Sequence, residues 1–360
     1  MTEQATRETC VGADARDLAE LCAKVAPASR YHHRLSGVRQ RTLARPAGSL
    51  GRLDEVVHRV AAIRRQVAPG PLPAVVSVLA SDHGVASQGT SLFPPATTSR
   101  VLRLIASGSA PVSLLAAGVG ARVEWADFGL LTPVGDQQYK VAQGTADISR
   151  ADAMTTGQAL CAVANGARFA SRRLGAEPIV AVGEIGVGNT TASAALSARL
   201  LGLPAARVVG AGSGVGEATI ARKISLVDAA LARVGDLPDD PIRLVAALGG
   251  FEIAGNVGVI LAAAANRQVV VLDGFITAVA ALVAVRMCPP VGDYLVAAHQ
   301  SAERGHALLL QDLGQPPLLE LGLRLGMGSG AALAVGLINA ALTVDQSTPA
   351  AAGAGLVMQR

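Results

Sequence analysis

Residues 177–196, EPIVAVGEIGVGNTTASAAL, decide how the rest of the chain is read. The run 177–183 is short, apolar and rich in β-branched residues, which is the composition of a buried strand. Gly186 and Gly188 then make a tight turn, and the Asn-Thr-Thr-Ala-Ser-Ala-Ala-Leu tail opens a helix. A strand that passes through a glycine turn into a helix presents backbone N–H groups at a helix N-terminus. Those groups and the helix dipole favour an anion such as a phosphate.

The same alternation extends outward in both directions. Residues 74–80 (AVVSVLA), 121–128 (ARVEWADF), 206–212 (ARVVGAG) and 267–274 (RQVVVLDG) read as further strands, each ending in a turn with Gly, Asp or Ser. Ala/Leu-rich helical stretches follow most of them. Repeated βα alternation predicts an α/β fold, a Rossmann-like parallel sheet flanked by helices, over residues 70–297. Ligands of such sheets gather at the C-terminal strand ends. Outside this region, residues 14–28 and 48–68 have helical periodicity, and Leu53, Val56, Val57, Val60 and Ile63 form the apolar stripe of the second. Residues 1–69 and 298–360 are expected to form a small helical domain from both chain ends that completes the active site.

Composition narrows the function. The 360-residue chain is 51% hydrophobic and 16% charged, which suits a large packed core and excludes disorder. Its net charge of +4 comes from scattered arginines without interleaved aromatics, so no nucleic-acid face is expected. The apolar tract 274–285 is too short to span a bilayer, which takes about 20 residues. Cys10, Cys22, Cys161 and Cys288 show neither C-x-x-C nor metal-ligand spacing and read as free thiols of a reducing compartment. The N-terminus MTEQATRETC has no apolar leader region. A cytoplasmic protein without metal or cofactor is the expectation.

Several turns carry candidate chemistry. In the loop 182–196, Asn189, Thr190 and Thr191 add side-chain donors, while Glu184 is electrostatically out of place beside an anion unless it meets a cation or hydroxyls. The loop is not a Walker A motif and lacks the G-x-G-x-x-G of dinucleotide folds, which counts against a nicotinamide-dependent oxidoreductase. A second loop, VGAGSGVGEATIARK (209–223), brings Gly212, Ser213 and Gly214 near Lys223, one of only three lysines. Lys223 reads either as a point charge for a phosphate or as a solvated surface residue. In ASDHGVASQGTSLFPP (80–95), His83 reads as a general base, as a ligand, or as bonded to backbone or to Asp82.

Taken together, GSLGRLDEVV, DHGV…GTSLFP, GEIGVGNTTASAAL, ALGGFEIAG, VVLDGFI, DYLVAAHQSAERGH and LGLRLGMGSGAALA resemble the nicotinate-nucleotide:dimethylbenzimidazole phosphoribosyltransferases over residues 45–342. The resemblance implies transfer of a 5-phosphoribosyl group from nicotinate mononucleotide to an aromatic base such as 5,6-dimethylbenzimidazole, with inversion at the anomeric carbon, in a homodimer. It places Gly186, Gly188, Asn189, Thr190, Thr191, Gly212, Ser213, Gly214 and Lys223 on the phosphoribosyl group, and Ser81, Asp82, Ser91, Phe93 and Leu325 around the base. Glu184 and position 327 are the catalytic positions.

The departure is Met327. The family pattern there is L-G-E-G-[ST]-G-A, whose Glu takes the N–H proton of the incoming base, and a thioether accepts no proton although it packs well on a ring. Ala211 in place of Arg, Gly108-Ser109 in place of Gly-Gly, and Asp147 in place of Asn are smaller departures. They point to a shifted aromatic acceptor or to a nucleotide- or base-binding pseudo-enzyme subunit as alternatives to the full transfer.

Overall fold

The computed structural model describes residues 15–354. The first ten residues, Cys10 and residue 14 of the first predicted helix lie outside that range.

Five strands form one sheet in the order β2-β1-β3-β4-β5, namely β1 (Ala74–Ser81), β2 (Arg122–Gly129), β3 (Ile179–Ile185), β4 (Val269–Leu272) and β5 (Leu295–Ala297). Every neighbouring pair is parallel. β1 and β4 are buried at every position, as a sheet covered by helices on both faces requires. The strand order reverses direction between β1 and β3, so the crevice beyond their C-terminal ends is the topological switch point where ligands of open α/β sheets bind.

The expected strands at 74–80, 121–128, 177–183 and 267–274 are present within a few residues. The expected strand at 206–212 is not: Ala205–Val208 is a short helix with Pro204 at its N-cap, followed by a loop. Buried Val208 and Val209 made the run look strand-like, and a short apolar run does not distinguish strand from helix by periodicity. β5, three residues long, falls below what period-2 patterning detects.

At the chain ends, Arg52–Arg64 carries the predicted stripe, with Val56, Val57, Val60 and Ile63 buried and Leu53 half-buried. This helix packs on Arg30–Gln40 and on the C-terminal helix Ser329–Ser347. Arg39 pairs with Asp345 at 3.4 Å, and the Asn339 side chain bonds both the N–H and the carbonyl of Leu72 at 2.9 and 3.0 Å. The C-terminal helix is thus held by the N-terminal segment, and its first turn reaches the sheet edge.

Residues 96–118 have enough length and apolar character to cross a membrane. They form two helices, Ala96–Ala106 and Pro111–Gly118, separated by a turn at Gly108 (φ +75°). Cys22 and Cys288 are free, whereas Cys161 is disulfide-bonded, contrary to the expectation of free thiols. Spacing along the chain does not say which thiols meet in the fold.

Candidate active site

The glycine turn after β3 leads into Asn189–Leu201 with Gly188 as N-cap at φ +96°, a conformation that suits glycine. The second glycine loop lies beside it. Lys223 donates to the Gly210 carbonyl at 2.9 Å and to Thr190 Oγ1 at 3.3 Å, and a Cβ on Gly212 would stand 3.1 Å from that oxygen and 3.3 Å from Lys223 Nζ. Lys223 is 1% exposed, and burial pulls its pKa down against the opposing pull of Glu303. Glu303 Oε1 accepts the Gly212 N–H at 2.7 Å and ties the loop to the segment after β5. Arg324 Nη1 stands 3.0 Å from where a Cβ on Gly214 would be. One end of the crevice therefore joins two glycine loops, a buried ammonium and a guanidinium.

The other end is acidic. Glu184, from β3, is buried and accepts a hydrogen bond from Asn189 Nδ2. Burial first, then the negative fields of Glu252 and Asp273, push its pKa from 4.5 up to about 8. Asp273, just beyond β4, accepts the N–H groups of Gly328 and Ala331 at 3.0 Å each, and His299 stands 3.8 Å from it. Burial raises the Asp273 pKa too, opposed by His299 and these amides.

Asp273 thereby anchors the turn Gly326-Met327-Gly328, whose three residues all have positive φ (75°, 63° and 84°). For methionine that conformation is uncommon. It is over-determined here: the Met327 N–H donates to the Glu184 carbonyl at 3.2 Å, and Gly183 lies so close beneath the turn that a Cβ there would meet Gly328 N at 2.5 Å. Met327 is 5% exposed, and a Cβ on Gly326 would lie 3.4 Å from Glu184 Oε1. The Gly326-Met327 turn thus lies against Glu184.

Residues 25–356 match a phosphoribosyltransferase family model. The nicotinate-nucleotide–dimethylbenzimidazole phosphoribosyltransferase of Geobacter sulfurreducens is 42% identical over 333 residues, 91% of this chain and 94% of its own length. That of Ectopseudomonas mendocina is 44% identical over 312 residues, 85% of this chain and 89% of its own. The chain belongs to the nicotinate-nucleotide–dimethylbenzimidazole phosphoribosyltransferase family. A crystal structure of the Thermus thermophilus enzyme agrees, with a TM-score of 0.87 and 35% identity, covering 92% of this chain and 100% of that one.

Within this phosphoribosyltransferase fold, the predicted site residues divide into two groups. Glu184, Gly186, Gly188, Asn189, Thr190, Thr191, Gly212, Lys223 and Met327 gather at the crevice, with Ser213 and Gly214 exposed on the second loop. Ser81 and Asp82 are buried at the end of β1, where Asp82 Oδ2 accepts the Leu131 N–H at 2.8 Å. Phe93 and Leu325 are half exposed, and Ser91 caps the Phe93 N–H at 3.1 Å. Lys223 is not a solvated surface residue. It shares the buried face of Glu217–Val234 with Val227 and Ala230, and that 4-then-3 spacing is the signal by which its burial was legible.

His83 bonds neither Asp82 nor the backbone through Nε2; its partner is Glu252, 2.7 Å away. Glu252, Asp273, Glu303 and Arg324 were not singled out in the sequence. Of the departures, Asp147 is absorbed locally, its Oδ1 bonding the N–H and hydroxyl of Ser149 and its Oδ2 the Gln88 amide. Ala211 brings no guanidinium to its position, and Arg324 stands over Gly214 of that loop from the C-terminal side.

The raised Glu184 pKa makes a stability prediction. An acid whose folded pKa lies above its unfolded one stabilises the fold fully below the unfolded value and loses that contribution as pH rises to the folded one. Thermal unfolding from pH 5 to pH 8.5 is expected to show a fall in Tm that Glu184→Gln abolishes, across the window between 4.5 and about 8. Parallel pH profiles for both proteins would refute the shift.

Proposed function

We propose that this chain moves the 5-phosphoribosyl group of nicotinate mononucleotide to an aromatic base such as 5,6-dimethylbenzimidazole, giving an α-ribotide and nicotinate. The observation that carries the reading is the meeting of Gly186–Thr191, Gly212–Gly214 and Lys223 at one end of a crevice whose other end holds Glu184 and Met327. A ring nitrogen of the acceptor forms the new bond to the anomeric carbon with its lone pair. The bond to nicotinate breaks with its electrons passing to the pyridinium nitrogen, which becomes neutral. The leaving group is already cationic, so no acid is needed to expel it, and catalysis is mainly alignment.

In this reading Gly186, Gly188, Asn189, Thr190, Thr191, Gly212, Ser213, Gly214 and Lys223 hold the phosphoribosyl group. Ser81, Asp82, Ser91, Phe93 and Leu325 line the base pocket. Glu184 is the proton acceptor left near the base, and Met327 packs on its ring. Residues 70–297 form the nucleotide-binding domain, which the segments 1–69 and 298–360 complete. The protein works in the cytoplasm as a homodimer. Leu104 and Leu114, 50% and 64% exposed, offer apolar surface for pairing, and a monomer by light scattering would remove that part.

The test is the purified chain with nicotinate mononucleotide and a panel of aromatic bases, following nicotinate and ribotide by chromatography. Acceptor-dependent release of nicotinate in equal amount to ribotide is expected. A second reading, a base-binding subunit without turnover, is favoured by Met327, and binding of nucleotide without release for every acceptor would establish it.

A further inference from the structure

A second buried acid acts on Glu184, and the transfer itself does not call on it. Glu252 sits in the first turn of the helix Phe251–Ala265 with its side chain fully buried, as is that of His83. His83 Nε2 and Glu252 Oε1 are 2.7 Å apart. Among the described residues, Glu252 Oε2 and His83 Nδ1 have no hydrogen-bond partner. The pair reaches the crevice past a bare glycine. His83 Nε2 and Asn189 Nδ2 stand 3.2 and 3.3 Å from the point where a Cβ on Gly186 would be, and Asn189 is the donor to Glu184. A side chain at position 186 would push these groups apart.

Among the described residues, several groups act on Glu184. Asn189 donates to it from its own helix, and it feels the negative charges of Glu252, on Phe251–Ala265, and of Asp273, at the end of β4, with His299 beyond Asp273. The Met327 N–H donates to the Glu184 backbone carbonyl and leaves the carboxyl unbonded by it. His83 holds Glu252 and lies next to Asn189 across Gly186. A buried carboxylate bonded only to a neutral imidazole keeps most of its field, because neither water nor an opposite charge cancels it.

We infer that Glu252, clamped by His83, is a positioning residue that sets the protonation state of Glu184 and with it the pH range in which the site takes a proton from an acceptor N–H. In that step the N–H bond of the base breaks, its electron pair stays in the ring, and the proton passes to ionised Glu184. Glu252 makes that carboxylate a stronger base and confines it to higher pH. After burial, Glu252 is the largest cause of the upward shift at Glu184. The catalytic consequence rests on the reading of Glu184 given above, whereas the electrostatic link does not.

The experiment uses the full chain carrying 13C at the glutamate carboxyls, titrated by NMR, with the Glu184 signal identified as the one missing from Glu184→Gln. The midpoint is expected near 8 in the unaltered chain and lower by about one pH unit in Glu252→Gln. Glu252→Met, which removes the charge at similar volume, is held to the same outcome if the glutamine variant does not fold. An unmoved midpoint in either folded variant, or a Glu184 that titrates in the ordinary carboxylate range, overturns the inference. The same variants are then assayed for transfer. A rising limb of rate against pH that moves with the NMR midpoint supports both claims. If the midpoint moves and the limb stays, the electrostatic link stands, and Glu184 loses its place as proton acceptor in transfer.

Discussion

Met327→Glu is expected to raise the rate of transfer to 5,6-dimethylbenzimidazole by about 10²-fold or more, within the 10²–10⁴-fold range that a positioned general base supplies. The backbone there already holds the required geometry. The Met327 N–H is fixed to the Glu184 carbonyl, Asp273 anchors the next residue, and the glycines on either side carry the turn at positive φ. A carboxylate at that position would therefore enter a preformed turn, close to Glu184 and away from the Lys223 end. The control is an acceptor without an N–H, 1,5,6-trimethylbenzimidazole, which attacks through its free ring nitrogen and has no proton to give up. Met327→Glu is expected to leave that rate nearly unchanged. Equal gains with both acceptors would mean that the substitution works through packing. No gain with either, against a fast unaltered chain, would show that the proton leaves by a route independent of position 327.

Lys223→Met is expected to weaken nicotinate mononucleotide binding by about 10- to 100-fold, since a hydrogen bond to a charged group is worth about 1.5–3 kcal/mol. The ammonium is buried and fixed by Gly210 and Thr190 at the junction of the two glycine loops. Loss of fold is not the expected cause of the weakening, because replacing a buried charge by an apolar side chain of similar length is often neutral for stability. Calorimetry with the mononucleotide and with the matching riboside separates the two effects. Riboside affinity should hold while mononucleotide affinity falls. Unchanged mononucleotide binding would remove Lys223 from the phosphate site, and an equal loss for both ligands would mean that the loops themselves had moved.

The local periodicities of the chain determined a good deal. β-Branched runs followed by glycine turns and alanine-rich stretches specify parallel βα units, because strand and helix patterning are short-range properties of the backbone and its side chains. The glycine loop at 182–196 and its place at a strand end were legible for the same reason. Local reading failed where local signals conflict. The run 206–212 holds the same valines a strand would, yet Pro204 and two alanines start a helix there.

What the tertiary structure alone decided is which distant residues share the crevice. His83 meets Glu252 across 169 positions of sequence, Gly212 meets Glu303 across 91, and Gly328 meets Asp273 across 55. Each contact depends on the strand order β2-β1-β3-β4-β5, which carries the ends of β1, β3 and β4 side by side. A histidine or glutamate in the sequence looks the same whether it faces water or another acid. Its environment arises only when the sheet closes and excludes solvent, and there burial and neighbouring charge move Glu184 from an ordinary carboxylate to one with a pKa of about 8.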